Sequence, residues 1–379
     1  MSAPETATPL CPHFGVCGGC QHQDLAYSEQ LRLKRTRLEE ILHNVGIRDL
    51  PEISVHSGEP WAYRNRIRLR LEHNGDERFV GYNCADSTEF LGISTCPIAA
   101  PVLWTAAEAL LAAAARDRDT AAWFDAATQV ELFCNDDLSR VQLTLLCPKK
   151  TALQPMSFTR AIAALNLPQL AGAAAVQVEA RTGRPLRTLA ETGASGLSYR
   201  VGEKSYWVSR GSFFQVNRFL LQTLVDLVTK DRSGELAWDL FAGVGLFSHI
   251  LARSFAQVTA VEANPTAASD LRVALGKLGA QHIAVEATTL DFLRSAVLQR
   301  DRPELIVLDP PRAGAGAEAC TLLQRLAPHS IVYVSCDPTT LARDLRTLQP
   351  HYRIAALHLV DLFPQTSHVE TVVELQRNS

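Results

Sequence analysis

From about residue 206 onward the chain alternates short β-rich runs with amphipathic helical segments, and it closes on two strands joined by only a few residues. The β-rich runs fall at 236–241, 258–261, 283–287, 305–308 and 331–335, with helical patterns such as 265–278 and 339–348 between them. Parallel strands linked by helices form a doubly wound α/β sheet. The last pair, 354–362 and 369–375, cannot be parallel, because a crossover needs a dozen or more residues. The expected carboxy-terminal half is therefore five parallel strand–helix units closed by an antiparallel hairpin.

Two other regions precede it. Residues 1–24 are short, irregular and rich in Cys, Gly and His. Residues 25–205 read as a mixed α+β region: a helix over about 28–44, an Ala-rich helix over 102–116, strands at 128–134 and 140–147, and a Gly/Thr-rich stretch at 181–198. No apolar run approaches the ~20 residues of a membrane span, and the first ten residues carry no secretory core, so a cytoplasmic protein without a membrane partner is expected, and a monomer. In that reducing compartment the nine cysteines are better read as metal ligands or catalytic groups than as disulfides.

A net charge of −3 and a pI near 6.4 argue weakly against a nucleic-acid partner. Local patterning argues for one. Arg64, Arg66, Arg68 and Arg70 alternate with Asn65, Ile67, Leu69 and Leu71, which puts four guanidiniums on one strand face. Like charges in a row repel unless a polyanion meets them, so phosphate contacts are expected there. A second basic set, Arg32, Lys34, Arg35 and Arg37, lies along one side of the 28–44 helix and reads equally as a solvated face.

A five-unit sheet with a terminal hairpin is the architecture of Rossmann-like class I methyltransferases. Asp239, Gly243 and Gly245 form a tight turn after the first strand, where glycines let the backbone approach a ligand beside a helix N-terminus. The spacing is not that of the dinucleotide G-x-G-x-x-G motif. The next strand ends in Glu262, placed to accept from both hydroxyls of a ribose. The hairpin and the polar strand end at Asp309 favour S-adenosylmethionine over a nicotinamide cofactor. Asp309 is followed by Pro310, Pro311 and Arg312. Amino-group methyltransferases usually carry an aromatic residue after the prolines, and RNA cytosine-C5 enzymes a cysteine; this chain has neither, which leaves uracil.

Carbon 5 of uracil is too weak a nucleophile to attack a sulfonium methyl. A thiolate added to C6 turns C5 into an enolate carbon; after methylation a base removes the C5 proton and the thiol is eliminated. Cys336, ending the fifth strand in Ser335-Cys336-Asp337-Pro338, and Glu370, in the final hairpin, suit those two roles. A thiol with a pKa near 8.5 is mostly protonated at pH 7, so Cys336 needs activation by a neighbour.

At these residues the chain resembles the uracil-C5 RNA methyltransferase family, with signatures at Phe214-Gln215-Val216-Asn217, Asp239 to Gly245, Asp309 to Arg312, Ser335 to Pro338 and His368-Val369-Glu370. The resemblance implies Cys336 as nucleophile and Glu370 as base. It also implies Gln215, Phe241, Glu262 and Asp309 as S-adenosylmethionine contacts, beside the Gly243 and Gly245 turn, with Asp309 near the target base as well. One departure stands out: relatives usually place an Asp after the third strand for the adenine amino group, and here the run is Ala287-Thr288-Thr289. Somewhat weaker donor binding is expected.

Cys11, Cys17 and Cys20 have the spacing C-x5-C-x2-C and look like ligands of one metal centre. Cys96 is the expected fourth ligand and Cys84 its rival; spacing alone fits zinc as well as a cluster. The resemblance implies a [4Fe-4S] cluster, which marks the family's ribosomal-RNA enzymes, and so a single-stranded or loop uridine of 23S rRNA as target, in the manner of the shorter 23S enzymes. The alternatives are a tRNA uracil-C5 methyltransferase and a catalytically silent RNA-binding assembly factor.

Overall fold

The computed structural model describes residues 5–149, 151–179 and 181–378. Its carboxy-terminal sheet has eight strands. In spatial order they are Ile53–His56, Tyr352–Val360, Glu370–Arg377, Ser330–Ser335, Leu305–Leu308, Gly234–Leu240, Phe255–Glu262 and Ile283–Glu286. The five strands from Gly234–Leu240 through Ser330–Ser335 in chain order run parallel, with helices including Pro265–Gly276, Thr289–Gln299, Ala317–Leu326 and Pro338–Leu348 between them. Glu370–Arg377 is antiparallel to both of its neighbours. Leu305, Ile306, Val307 and Leu308 are all buried, as expected for a parallel strand covered by helices on both faces.

The first of those eight strands lies far from the rest in sequence. Ile53–His56 pairs in parallel with Tyr352–Val360, and the helix Tyr27–Asn44 packs Leu38 and Leu42 into the same core as Leu345, Leu348 and Tyr352. Residues 27–56, read from sequence with the middle region, thus pack on the carboxy-terminal sheet. The middle sheet is separate and mostly antiparallel, in the order Phe90–Gly92, Glu77–Asn83, Arg66–Asn74, Gln129–Cys134, Val141–Cys147, Leu170–Val178, Pro185–Gly193. Its apolar face is covered by Pro101–Arg116, Arg118–Ala126 and Pro155–Ala163. A two-stranded ribbon, Gly196–Val201 with Lys204–Ser209, links the two halves.

The basic side of the Tyr27–Asn44 helix is divided: Arg32 and Arg37 are exposed, whereas Lys34 turns inward. Lys34 is buried, and its Nζ lies 2.6 Å from Asp361 Oδ1 and donates to the carbonyl of Phe363 at 2.9 Å. Tyr27 OH donates to the other Asp361 oxygen at 2.9 Å. Arg32 and Arg35 pair along the helix with Glu29 and Glu39. The helix therefore grips the loop of the last hairpin.

Candidate active site

The carboxyl ends of three adjacent parallel strands bring the sequence-predicted groups to one edge. Gly234–Leu240 ends beside Leu305–Leu308, which ends beside Ser330–Ser335. Asp309 follows the middle strand, and its Oδ2 accepts a 3.1 Å hydrogen bond from Gln215 Nε2. Gln215 is held from behind by Asn65, whose Nδ2 donates to the Gln215 carbonyl at 3.0 Å and whose amide donates to the Val216 carbonyl at 2.9 Å. Sequence alone counts Asn65 among the spacers of the arginine strand. Its burial among polar partners is visible only in three dimensions.

Cys336 sits one residue past Ser335, which pairs with Thr371. Continuing that antiparallel register places Cys336 opposite Glu370, the first residue of its strand. Thr371 Oγ1 locks the corner by donating to the Ser335 carbonyl at 3.1 Å. Directly after the thiol, Asp337 caps the Pro338–Leu348 helix by accepting from the amides of Thr339 and Thr340 at 2.8 and 3.0 Å. Capping ends the strand at that point and leaves Cys336 half-buried. The loop after Asp309 is fixed by buried Asp344, which accepts from Tyr333 OH at 2.7 Å and from the amides of Ala315 and Gly316 at 2.8 and 3.2 Å.

Electrostatics here favour protonated acids. Burial, then the neighbouring Glu370 and Asp309, push the Cys336 thiol up to about 11, opposed by Arg312. Burial, then Asp309, hold Glu370 well above the ordinary carboxylate range. Asp309 is raised to about 7 by burial and by Asp239, against the bond from Gln215. Burial raises Asp239 to about 7 as well, against its bonds from Ser248. The folded chain keeps protons on these carboxyls that the unfolded chain releases near pH 4, so stability is lost as pH rises from about 4 to about 7. The thermal midpoint is expected to be higher at pH 5 than at pH 7, with Asp239→Asn narrowing the gap; identical profiles for variant and wild type would contradict this.

The turn after Gly234–Leu240 is built for close approach. Phe241 takes φ +63° although it carries a bulky side chain, Gly243 has φ +56° and Gly245 φ +89°. At Gly245 the positive φ disfavours any side chain, and a Cβ there would stand 2.7 Å from Leu271 Cδ1. Buried Asp239 braces the turn by accepting from the amide of Ser248 at 2.9 Å and from its hydroxyl. Glu262 Oε2 accepts from the Gly243 amide at 2.8 Å, and its Oε1 from the Asn264 amide at 2.6 Å. These bonds hold the carboxylate over the turn. Thr288 caps the Thr289–Gln299 helix: its hydroxyl accepts from the Asp291 amide at 3.2 Å and donates to Asp291 Oδ2 at 2.7 Å.

The four arginines alternate as the sequence predicts, but the premise that they lack counter-charges does not hold. Glu131, on the neighbouring strand, lies 3.8 Å from Arg66 and 2.7 Å from Arg68. Glu72 pairs with Arg70 at 2.5 Å. Arg66 is stacked 4.4 Å from the Phe133 ring centre and donates to the Ser212 carbonyl. Arg64 lies 5.9 Å from the ring centre of Phe363. Arg68 is the most exposed of the four, with about half its side chain open.

Cys11, Cys17, Cys20 and Cys96 all line one cavity of about 240 Å³, together with Arg64 and Tyr82. Cys84 lines a neighbouring open groove instead, bridged to Cys17 through the backbone. Among the described residues no three His, Cys, Asp or Glu side chains gather around a point that would hold a single metal ion. Burial raises Cys17, Cys20 and Cys96, Cys20 to about 11, and thiolate–thiolate repulsion adds to each. A cationic centre shared by the four would offset both effects.

Residues 26–378 match the family described as tRNA (uracil-5-)-methyltransferase. The chain is similar to the 23S rRNA (uracil(1939)-C(5))-methyltransferase of Alkalilimnicola ehrlichii, at 30% identity across 100% of this chain and 84% of that protein. The protein of the same name from Klebsiella pneumoniae strain 342 is 32% identical, covering 99% and 83%. Among solved structures, the Pyrococcus abyssi tRNA (uracil-54, C5)-methyltransferase in complex with S-adenosyl-L-homocysteine aligns with a TM-score of 0.73 at 24% identity, covering 95% of this chain and 86% of that one. That structural likeness speaks to the fold.

Proposed function

The chain belongs to the tRNA (uracil-5-)-methyltransferase family of RNA methyltransferases, and on that premise we propose that it methylates carbon 5 of a uridine in 23S rRNA with S-adenosylmethionine as donor. The observation that carries this reading is the meeting of one thiol, one buried carboxyl and the Asp309–Gln215 pair at adjacent strand ends. The 23S assignment follows the names of the two relatives given above.

In this reading Cys336 gives up its proton and its sulfur adds to C6, placing an electron pair on the C5 enolate. S-adenosylmethionine would supply the sulfonium methyl: C5 takes it up as the S–CH3 bond breaks, and the thioether S-adenosylhomocysteine is released. Glu370 then removes the C5 proton, the C5=C6 bond re-forms, and the sulfur leaves. Burial raises the basicity of Glu370 toward what proton removal at neutral pH requires. Asp309, kept in place by Gln215, is positioned to accept from the uracil N3–H. Glu262, over the Gly243 turn, is the ribose partner, with Phe241 beside it. Because a paired base hides C6, the uridine is taken from a loop or flipped out. Arg68, the most exposed of the four arginines, faces the RNA backbone with Arg70 beside it, whereas Arg64, in the cysteine-lined cavity, and Arg66, stacked on Phe133, are held inside the protein.

Cys11, Cys17, Cys20 and Cys96 would hold a [4Fe-4S] cluster, a structural group in a reaction that needs no redox step. Protein isolated without oxygen is expected to carry iron and sulfide, and Cys96→Ser to lose most of both while Cys84→Ser retains them; equal iron in the two variants would remove Cys96 from the ligand set. The functional reading is tested by comparing methylated uridines in rRNA and tRNA from cells with and without the protein. Loss of one 23S methyluridine supports it, and loss confined to tRNA overturns it.

A further inference from the structure

The loop at residues 361–369 carries His368 and delivers Glu370 to the site. At its centre Gln365 has φ +68° although it is not glycine, a backbone state that persists only where the surroundings enforce it. The enforcing groups come from the amino-terminal segment, more than 300 positions away. The Gln365 carbonyl accepts from the amides of Gln21 and His22 at 2.9 and 3.1 Å. Its amide donates to Gln30 Oε1 at 2.9 Å, and Gln30 Nε2 donates in return to Gln365 Oε1 at 3.0 Å. The same Gln30 Nε2 also donates to the carbonyls of His22 and Leu25. Two residues further on, the Ser367 amide donates to Gln21 Oε1 at 3.2 Å. Both Gln30 and Gln365 are buried, so water cannot replace these bonds.

Gln21 and His22 directly follow Cys20. The stretch that closes the cysteine-lined cavity is therefore the stretch that shapes the base-bearing loop. Lys34 anchors the first part of the loop, at Asp361 and the Phe363 carbonyl; the Gln30–Gln365 pair acts at its bend, five residues before Glu370.

We propose that Gln30 and Gln365 are positioning residues for proton removal, through which the cysteine segment aims Glu370 at the C5 proton. The proposal rests on the reading of Glu370 as base. Gln30→Ala deletes both side-chain bonds to Gln365 without touching Cys336, Glu370, Asp309 or Gln215. It is expected to lower kcat by about 10- to 100-fold, the scale of a small misplacement of a reacting group. S-adenosylmethionine affinity should stay unchanged and a covalent protein–RNA adduct should accumulate on a denaturing gel. Backbone amides of Phe363 and of 365–367 should exchange with deuterium faster than in wild type. Gln21→Ala, at an exposed side chain, is expected to move the same readouts in the same direction by less.

Glu370→Gln serves as the reference. An adduct with Glu370→Gln and none with Gln30→Ala overturns the positioning role and leaves the base assignment standing. No adduct with either overturns both. Loss of kcat, donor affinity and melting midpoint together in Gln30→Ala, with Gln21→Ala unchanged in kcat, would make these contacts general stability alone and overturn the proposal.

Discussion

Cys336→Ala is expected to lower turnover by about 10⁴-fold or more, the scale seen when a nucleophile that forms a covalent intermediate is removed. S-adenosylmethionine binding should survive, because Gln215, Glu262 and the Gly243 turn lie on other segments of the chain. Cys336→Ser should be nearly as inactive, since a hydroxyl in the same buried, acidic surroundings ionises even less readily than a thiol. A thiol pushed up to about 11 is ionised in only about one molecule in 10⁴ at pH 7. Arg312 is the side chain that opposes the shift, and it stands on the loop after Asp309, within 3.5 Å of His368. Turnover in wild type should therefore rise with pH across the neutral range. Methyl transfer by Cys336→Ala within about tenfold of wild type would exclude addition of this thiol to the ring.

Glu370→Gln has a different signature. Sulfur addition and methyl transfer precede the step that needs the base, so this variant should complete both and stop. The product is a protein–RNA adduct that survives denaturation and carries the transferred methyl group. Turnover should fall by about 10²- to 10⁴-fold, the range for loss of a positioned general base. Glutamine is close in size and keeps the buried corner beside Ser335 and Thr371 filled, so a simple packing failure is a poor explanation for any loss. A variant that turns over normally, or one that is inactive and forms no adduct, would remove Glu370 from the role.

The parts of this architecture that follow from local patterning are legible in the chain. Strand–helix alternation gives the parallel sheet, and the few residues between Val360 and Glu370 force the antiparallel pair. Strand-end motifs mark Asp309 and Cys336 because prolines follow both and end the strands there. What escapes sequence reading depends on partners far away. Ile53–His56 is four residues long and finds its neighbour some 300 positions later, so no periodicity could assign it to that sheet. Lys34 looks like one more charge on a basic helix until Asp361 is placed against it. The counter-charge of Arg66 and Arg68 is Glu131, supplied by the register of an adjacent strand. Asn65, at an apolar-side position of the arginine strand, is a buried polar brace for Gln215.

The most direct test of the covalent route is mass-spectrometric mapping of the adduct formed by Glu370→Gln with a uridine-containing fragment of 23S rRNA and S-adenosylmethionine. The expected result is one cross-linked peptide, joined through the sulfur of Cys336 to a methylated uracil. A cross-link at any other residue, or methylated RNA with no adduct at all, would contradict the account.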